Sequence, residues 1–289
     1  MSFLYNAYRA LTSGVFLTCL PPFWFYTQLS GRYRKGFGER LGFLPGTIPQ
    51  KRPGSPRIWI HAASLGEVKV ARAVADHLHK QVPDTEIVVS TNTDHGRALA
   101  EETFRESPVV YAPLDFFVTV RKALSAVQPD IMVFLETEIW PAWVTEAHRK
   151  GIKTAIVNGR ISVRSVQSYR RLRSFFMEVL GKMDAFSMIT EEDASRIIEI
   201  GADPWKIEVN GNAKYDLLMK EAAPDLGSKA RKRLNLPPSQ HVFIAGSTRE
   251  GEEEIVLDVY EKIVKRFPDM VLIIAPRHIV RTPAIESLV

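Results

Sequence analysis

The sequence predicts an α/β protein with one complete doubly wound domain, an incomplete second one, and an N-terminal membrane anchor ahead of both. Three observations predict it. From residue 57 to about 212, short apolar runs alternate with amphipathic stretches, the pattern of parallel strands joined by covering helices. After Lys214 a second strand–helix–strand pattern begins and reaches two strands by residue 289. Before both, residues 10–31 carry no charge. At 289 residues the chain also exceeds the ~250 at which single cores usually divide.

The anchor comes first in the chain. Phe16, Leu17, Leu20, Phe23, Trp24, Phe25, Tyr26 and Leu29 fall within the uncharged stretch, and a helix needs ~20 such residues to span a bilayer. Thr12, Ser13, Thr18 and Gln28 interrupt the run, and Pro21-Pro22 predicts a kink near its middle. Spanning and interfacial placements both fit, and a buried core hairpin is the reading without a membrane. Arg32, Arg34, Lys35 and Arg40 follow, a basic flank of the kind retained in the cytoplasm. A secretory signal fits poorly, because only Arg9 precedes the run and no small-residue cleavage pattern ends it. Residues 1–40 are therefore assigned to anchor and flank.

Strands are predicted at 58–61, 87–91, 109–111, 131–135, 154–157 and 185–189, with 207–209 a shorter candidate. Helical periodicity covers 68–79, 97–104, 118–127, 143–149, 163–180 and 194–200. These elements make a first domain over 41–215. The second, 216–289, passes through a charged, proline-flanked stretch at 220–240, then a strand at 242–245, a helix at 252–267, a strand at 270–275 and the start of a helix at 283–289. Two parallel strands cannot cover both faces of their sheet, so this domain is expected to be incomplete within the chain.

Composition narrows the chemistry. A net charge of +5 and a pI near 9.2 suit an anionic partner without choosing between phosphate, nucleic acid and a lipid surface. Cys19 has no second cysteine to pair with, and none of the seven histidines lies in a C-x-x-C or H-E-x-x-H setting, which argues against a disulfide framework and structural zinc. Neither G-x-G-x-x-G after the first strand nor G-x-x-x-x-G-K-[ST] occurs, so dinucleotide and P-loop readings lose support.

Ligands of open parallel sheets bind beyond the carboxyl ends of the strands, and five clusters fall there. They are Ser64-Leu65-Gly66-Glu67, Glu136-Thr137-Glu138, Gly211-Asn212-Ala213-Lys214, Gly246-Ser247-Thr248 and Pro276-Arg277-His278. Glu67 in a first helical turn is either an ordinary N-terminal acid or a general base. Glu136-x-Glu138 lacks the further carboxylates that a hard cation recruits. Lys214 is either a linker lysine or a cation facing a cleft. Gly246-Ser247-Thr248 either caps the next helix or binds phosphate through its amides, with Arg277 and His278 completing such a site. Arg160, Arg164, Arg170, Arg171, Arg173 and Lys182, with Glu178 the single acid among residues 160–182, form a solvated face or a seat for anionic headgroups.

Taken in order, these blocks resemble the bacterial Kdo transferases, which attach 3-deoxy-D-manno-octulosonic acid (Kdo) from CMP-Kdo to the lipid A precursor (lipid IVA) in lipopolysaccharide synthesis. The resemblance is carried by Arg40-Leu41-Gly42, Trp59-Ile60-His61-Ala62-Ala63-Ser64-Leu65-Gly66-Glu67, Glu136-Thr137-Glu138-Ile139-Trp140-Pro141 and Asn158-Gly159-Arg160-Ile161-Ser162. Gly211-Asn212-Ala213-Lys214-Tyr215-Asp216, Gly246-Ser247-Thr248 and Pro276-Arg277-His278 complete it. It implies a GT-B-like arrangement of two Rossmann-like domains, acceptor held mainly by the first and nucleotide by the second. It also implies an inverting reaction without metal or cofactor, with CMP-Kdo as donor substrate. Glu67 is implied as base, Glu136 and Lys214 as stabilising the transition state, and Pro276 and Arg277 as touching CMP. Leu65 stands where valine is commoner and Tyr215 where phenylalanine is. The family's later glycine-rich segment and Asn-Pro-Leu-Glu motif have no counterpart. The implied partners are CMP-Kdo, the lipid A precursor and the inner membrane, with the catalytic part on the cytoplasmic side and no nucleic acid. A GT-B enzyme with another nucleotide-sugar donor, and an inactive membrane-bound acceptor-binding fragment, stay open beside this reading.

Overall fold

The computed structural model describes residues 3–30, 34–44, 46, 48–216 and 225–288. Arg32 of the expected basic flank and Val289 lie outside them. The chain divides into two units, Met1–Lys220 and Glu221–Val289.

The first unit opens with α1 (Phe3–Ser30) and α2 (Phe37–Arg40), and then alternates strand and helix. The order is β1 (Arg57–His61), α3 (Leu65–Gln81), β2 (Glu86–Thr91), α4 (Asp94–Thr103), β3 (Val109–Tyr111), α5 (Phe117–Val127), β4 (Ile131–Leu135) and α6 (Pro141–Arg149). There follow β5 (Lys153–Gly159), α7 (Val163–Arg171), α8 (Arg173–Leu180), β6 (Ala185–Met188), α9 (Glu191–Glu199) and β7 (Ile207–Val209). All seven strands pair in parallel, in the order β3-β2-β1-β4-β5-β6-β7. The chain starts in the interior of the sheet, runs outward through β2 and β3, and returns past β1 to continue with β4. That reversal between β1 and β4 puts two βα turns side by side at a switch point.

Every residue of β1 is buried, as expected of a strand covered on both faces. Alternate residues serve opposite cores. Trp59, Met132, Phe134, Ile156 and Phe186 belong to one apolar cluster. Ile58, Ile60, Val89, Val133 and Leu135 belong to the other, with Val68, Ala71 and Ala75 of α3. Ser64, Thr93, Ser162 and Thr190 each accept a backbone N–H three residues on, capping α3, α4, α7 and α9.

Two expectations for this unit are corrected. The helix expected over 163–180 is two, because Leu172 leaves helical angles (φ −116°, ψ 30°) between α7 and α8. Tyr169 and Phe175 both pack on the core, and residues six apart do not share a face of one straight helix. The second concerns the N-terminus. The helix α1 continues through Pro21 and Pro22 without a break, and among the described residues no helix is long and apolar enough to cross a membrane. The span expected over 10–31 is therefore not found as a crossing helix. Its hydroxyls dilute the apolar run and bond inward, Thr12 and Thr18 to the carbonyls of Tyr8 and Gly14 at 2.8 Å. Nor is it a hairpin. It lies on the first unit: Tyr8 donates to Asp115 at 2.7 Å, Tyr5 donates to Glu146 at 3.3 Å, and Phe16 stacks on Phe116 with centroids 4.3 Å apart.

The second unit holds α10 (Leu226–Arg233), β8 (Val242–Thr248), α11 (Glu252–Val264), β9 (Val271–Pro276) and α12 (Thr282–Glu286). Its two strands pair in parallel. The helix α10 lies in the charged stretch 220–240, where the sequence predicted only a connection.

Candidate active site

The turn after β1 is built by its own side chains. Ser64 caps α3, and Glu67 folds back over the turn, its Oε2 accepting the Ala63 N–H at 2.8 Å and its Oε1 the Ser64 hydroxyl at 2.7 Å. Glu67 thus also ties down the start of α3, as an acid in a first helical turn can. The functional expectation gains support from the surroundings. Glu67 is 5% exposed, and burial pushes its carboxyl above the ordinary value. The Ser64 and Ala63 donors oppose that rise, and the charges of Glu138 and Glu136 add to it.

Those two carboxylates arrive from the neighbouring strand across the switch point. Glu136 follows β4 directly and adopts a left-handed φ of 56°, a conformation that costs a non-glycine residue free energy and concentrates at functional sites. Its N–H donates to the Val157 carbonyl at 3.1 Å. Glu138 accepts the Trp140 indole N–H at 2.5 Å; burial raises its carboxyl too, helped by Glu136. Thr137 between them donates its hydroxyl to the Arg160 carbonyl. Both carboxylates thus have protein partners.

Lys214 completes the group from beyond β7. Its Nζ lies 2.5 Å from Glu136 Oε1 and stands over Gly66, where an added Cβ would lie 3.8 Å from the ammonium. Lys214 is thus ion-paired rather than free in solvent. Residues 67, 136 and 214, far apart in sequence, meet at the carboxyl edge of one sheet. An acid with eased protonation beside a lysine–carboxylate pair can accept a proton and offset developing negative charge.

The second unit gathers its own candidates. Gly246 pairs with Ala275 and Thr248 with Pro276, with a register shift at Ser247, whose φ is 61°. The Arg277 N–H donates to the Thr248 carbonyl at 3.0 Å. Gly246, Ser247, Pro276, Arg277 and His278 therefore sit together at the carboxyl ends of β8 and β9. The capping reading for Ser247 and Thr248 is corrected: α11 is capped by Gly251, at φ 86° and without a side-chain bond.

Two further residues of the first unit stood in recognisable blocks of the sequence without being given a role. His61, 1% exposed, ends β1 with Nδ1 3.0 Å from Ser90 Oγ and its ring against Trp140 and Trp143; burial lowers its pKa to about 4, so it is neutral at physiological pH. Asn158, 2% exposed at φ 57°, accepts the Ala213 N–H at 2.9 Å. A polar residue directly after an apolar run, residues 58–60 for His61 and 155–157 for Asn158, was the signal available for both.

Residues 35–217 match the family described as 3-deoxy-D-manno-octulosonic-acid transferase (kdotransferase). The chain belongs to that family. The Kdo transferase of Haemophilus influenzae is 28% identical over 286 residues, 97% of this chain and 66% of the relative. That of Chlamydia pneumoniae is 27% identical over 274 residues, 94% of this chain and 62% of the relative. A bifunctional glycosyltransferase/methyltransferase of Fusobacterium nucleatum is 36% identical over 235 residues, 80% of this chain and 36% of the relative. The chain thus spans between about a third and two thirds of the length of these curated relatives. Among solved structures, UDP-GlcNAc 2-epimerase from Neisseria meningitidis superposes with TM-score 0.57 at 14% identity, covering 80% of this chain and 67% of that one. A glycosyltransferase from Rickettsia africae superposes at 0.54 and 13%, covering 81% and 64%. At such identities the likeness shows the fold alone, a Rossmann-like α/β fold of the GT-B type. The family match contains Glu67, Glu136 and Lys214.

Proposed function

We propose that this protein is a glycosyltransferase that moves Kdo from CMP-Kdo to the lipid A precursor, inverting the anomeric centre, at the cytoplasmic face of an inner membrane. The observation that carries the proposal is the meeting of Glu67 with the Glu136–Lys214 pair at the switch point of a sheet whose family is named for Kdo transfer. In the reaction, Glu67 takes the proton of an acceptor hydroxyl as that oxygen bonds to the ketosidic carbon. The bond from that carbon to the CMP phosphate oxygen breaks, its electron pair leaving with CMP. Lys214 supplies the cation, held by Glu136, that offsets the negative charge developing at the reacting centre, so that no metal or cofactor is needed. In the second unit, the amides around Gly246 and Ser247 and the guanidinium of Arg277 are assigned to the CMP phosphate, with Pro276 and His278 beside them.

Kdo transfer from CMP-Kdo to lipid IVA, measured alongside UDP- and GDP-sugars, tests donor and acceptor together. A positioned base contributes ~100- to 10,000-fold, so Glu67→Ala should lower kcat on that scale and leave the acceptor KM nearly unchanged. Near-normal turnover by that variant sinks the assignment of Glu67, and turnover only with another nucleotide sugar sinks that of the donor.

A further inference from the structure

Lys214 lies beyond β7, outside the sheet, so its place beside Glu136 depends on what fixes the backbone around it. Two asparagines do so. Asn212 Oδ1 accepts the Lys214 N–H at 3.1 Å, and Asn158 Oδ1 accepts the Ala213 N–H at 2.9 Å. These amides open the helical turn over 213–216, where a first turn has no partners of its own. Asn212 is a local cap, whereas Asn158 reaches in from β5.

The geometry of Asn158 is set by a defect in its strand. The register of β5 against β6 shifts between Ile156 and Gly159, and within that shift Asn158 takes its left-handed φ of 57°, which asparagine tolerates better than most residues. Next to it, a Cβ on Gly159 would lie 2.5 Å from Met188 Sδ, so the bulge is tightly seated. Val157, on the other side, holds the Glu136 N–H. Adjacent residues of β5 therefore hold the backbone on both sides of the ion pair: Val157 that of Glu136, and Asn158 that leading into Lys214.

We propose that Asn158 is a positioning residue, acting through the Ala213 amide to set the Lys214 ammonium against Glu136. The proposal rests on the assignment of Lys214 to the transfer site, and two separate readouts keep the two apart. The informative variant is Asn158→Gly, because glycine keeps the left-handed backbone while removing the acceptor with the rest of the side chain. Asn158→Asp keeps an acceptor oxygen, and the Asn158 Nδ2 that it replaces has no hydrogen-bond partner among the described residues. Amine acylation read by mass spectrometry at the Lys214 peptide reports the ion pair without any turnover. Acylation of Lys214 should rise several-fold in Asn158→Gly and stay near wild type in Asn158→Asp. In the transfer assay kcat should fall by about ten-fold in the glycine variant, with KM for both substrates within about two-fold, since misplacement of a group by about an ångström has effects of this order or larger. Should the glycine variant fail to fold, Asn158→Ser, whose hydroxyl is too short for Ala213, should show the same rise. Unchanged Lys214 acylation in a folded Gly or Ser variant overturns the proposal, as does an aspartate variant that behaves like the glycine one. Raised acylation with unchanged kcat upholds the positioning and overturns the part given to Lys214 in transfer.

Discussion

Glu67 folds back over the start of α3 and faces two further carboxylates, so one side chain serves both the helix start and the proposed chemistry. The two demands agree, because the Ser64 and Ala63 donors fix the carboxylate while burial and the charges of Glu138 and Glu136 keep it easier to protonate. A base works only when ionised, so kcat/KM should fall with acid through a pKa above the ~4.3 of an unperturbed glutamate. Glu138→Gln removes one negative neighbour and eases ionisation of Glu67, so the acid limb of a pH–rate profile should move to lower pH. A limb that does not move assigns it to another group. Glu67, Glu136 and Lys214 were legible because each lies in a block of recognisable order at a strand's carboxyl end. Asn158 lay in such a block as well, but its role depends on a register shift and on a contact 55 residues away, and neither leaves a trace in local composition.

At the scale of elements, β1, β2 and β4 were readable from apolar runs because a strand buried on both faces has no polar alternation to confuse it. The missed elements are those whose pattern is decided from outside, the break at Leu172 and the helix α10 in a charged stretch. The helix α1 was expected, and its placement is a separate matter. Its apolar run reads as a bilayer span, yet Tyr5 and Thr27 are buried against the protein while Leu11, Val15, Leu17, Trp24, Phe25 and Leu29 are exposed. A helix docked on one side, with exposed apolar side chains elsewhere, is compatible with the interfacial placement that the sequence left open. The basic face near it is partly spent, since Arg170 pairs with Glu199 at 3.1 Å and Arg173 donates to the Glu199 carbonyl at 2.9 Å. Arg164 and Arg171 are exposed and are the better candidates for headgroups. Binding to vesicles containing anionic lipid should weaken on replacing Trp24 and Phe25 with serine at any salt. Replacing Arg164 and Arg171 should weaken it mainly at low salt, by roughly 1 kcal/mol per residue. Equal binding by all variants at low salt would remove the membrane from the proposal.

Across the whole molecule the two units differ in how much they bury. The first has two apolar clusters, one on each face of its seven-stranded sheet. In the second, the described buried residues are Thr248, Glu253 and Ile285, and Ile244 in the middle of β8 is 64% exposed. Glu253 is held there by Arg281 at 2.8 and 3.2 Å rather than by an apolar core. Buried apolar area is the main favourable term in folding, so the second unit should open at lower free energy than the first. The sequence contains its own reporter for this difference. All five tryptophans, Trp24, Trp59, Trp140, Trp143 and Trp205, lie in the first unit, so their emission follows that unit, whereas far-ultraviolet circular dichroism follows the helices of both. Urea titration should therefore give a dichroism change that begins before the fluorescence change, with non-coincident midpoints. Native-state hydrogen exchange should agree, with fast amides over 242–248 and 271–276 and slow ones over 58–61 and 131–135. Coincident transitions together with slow exchange in β8 and β9 would mean that the second unit draws its stability from contacts beyond its own core.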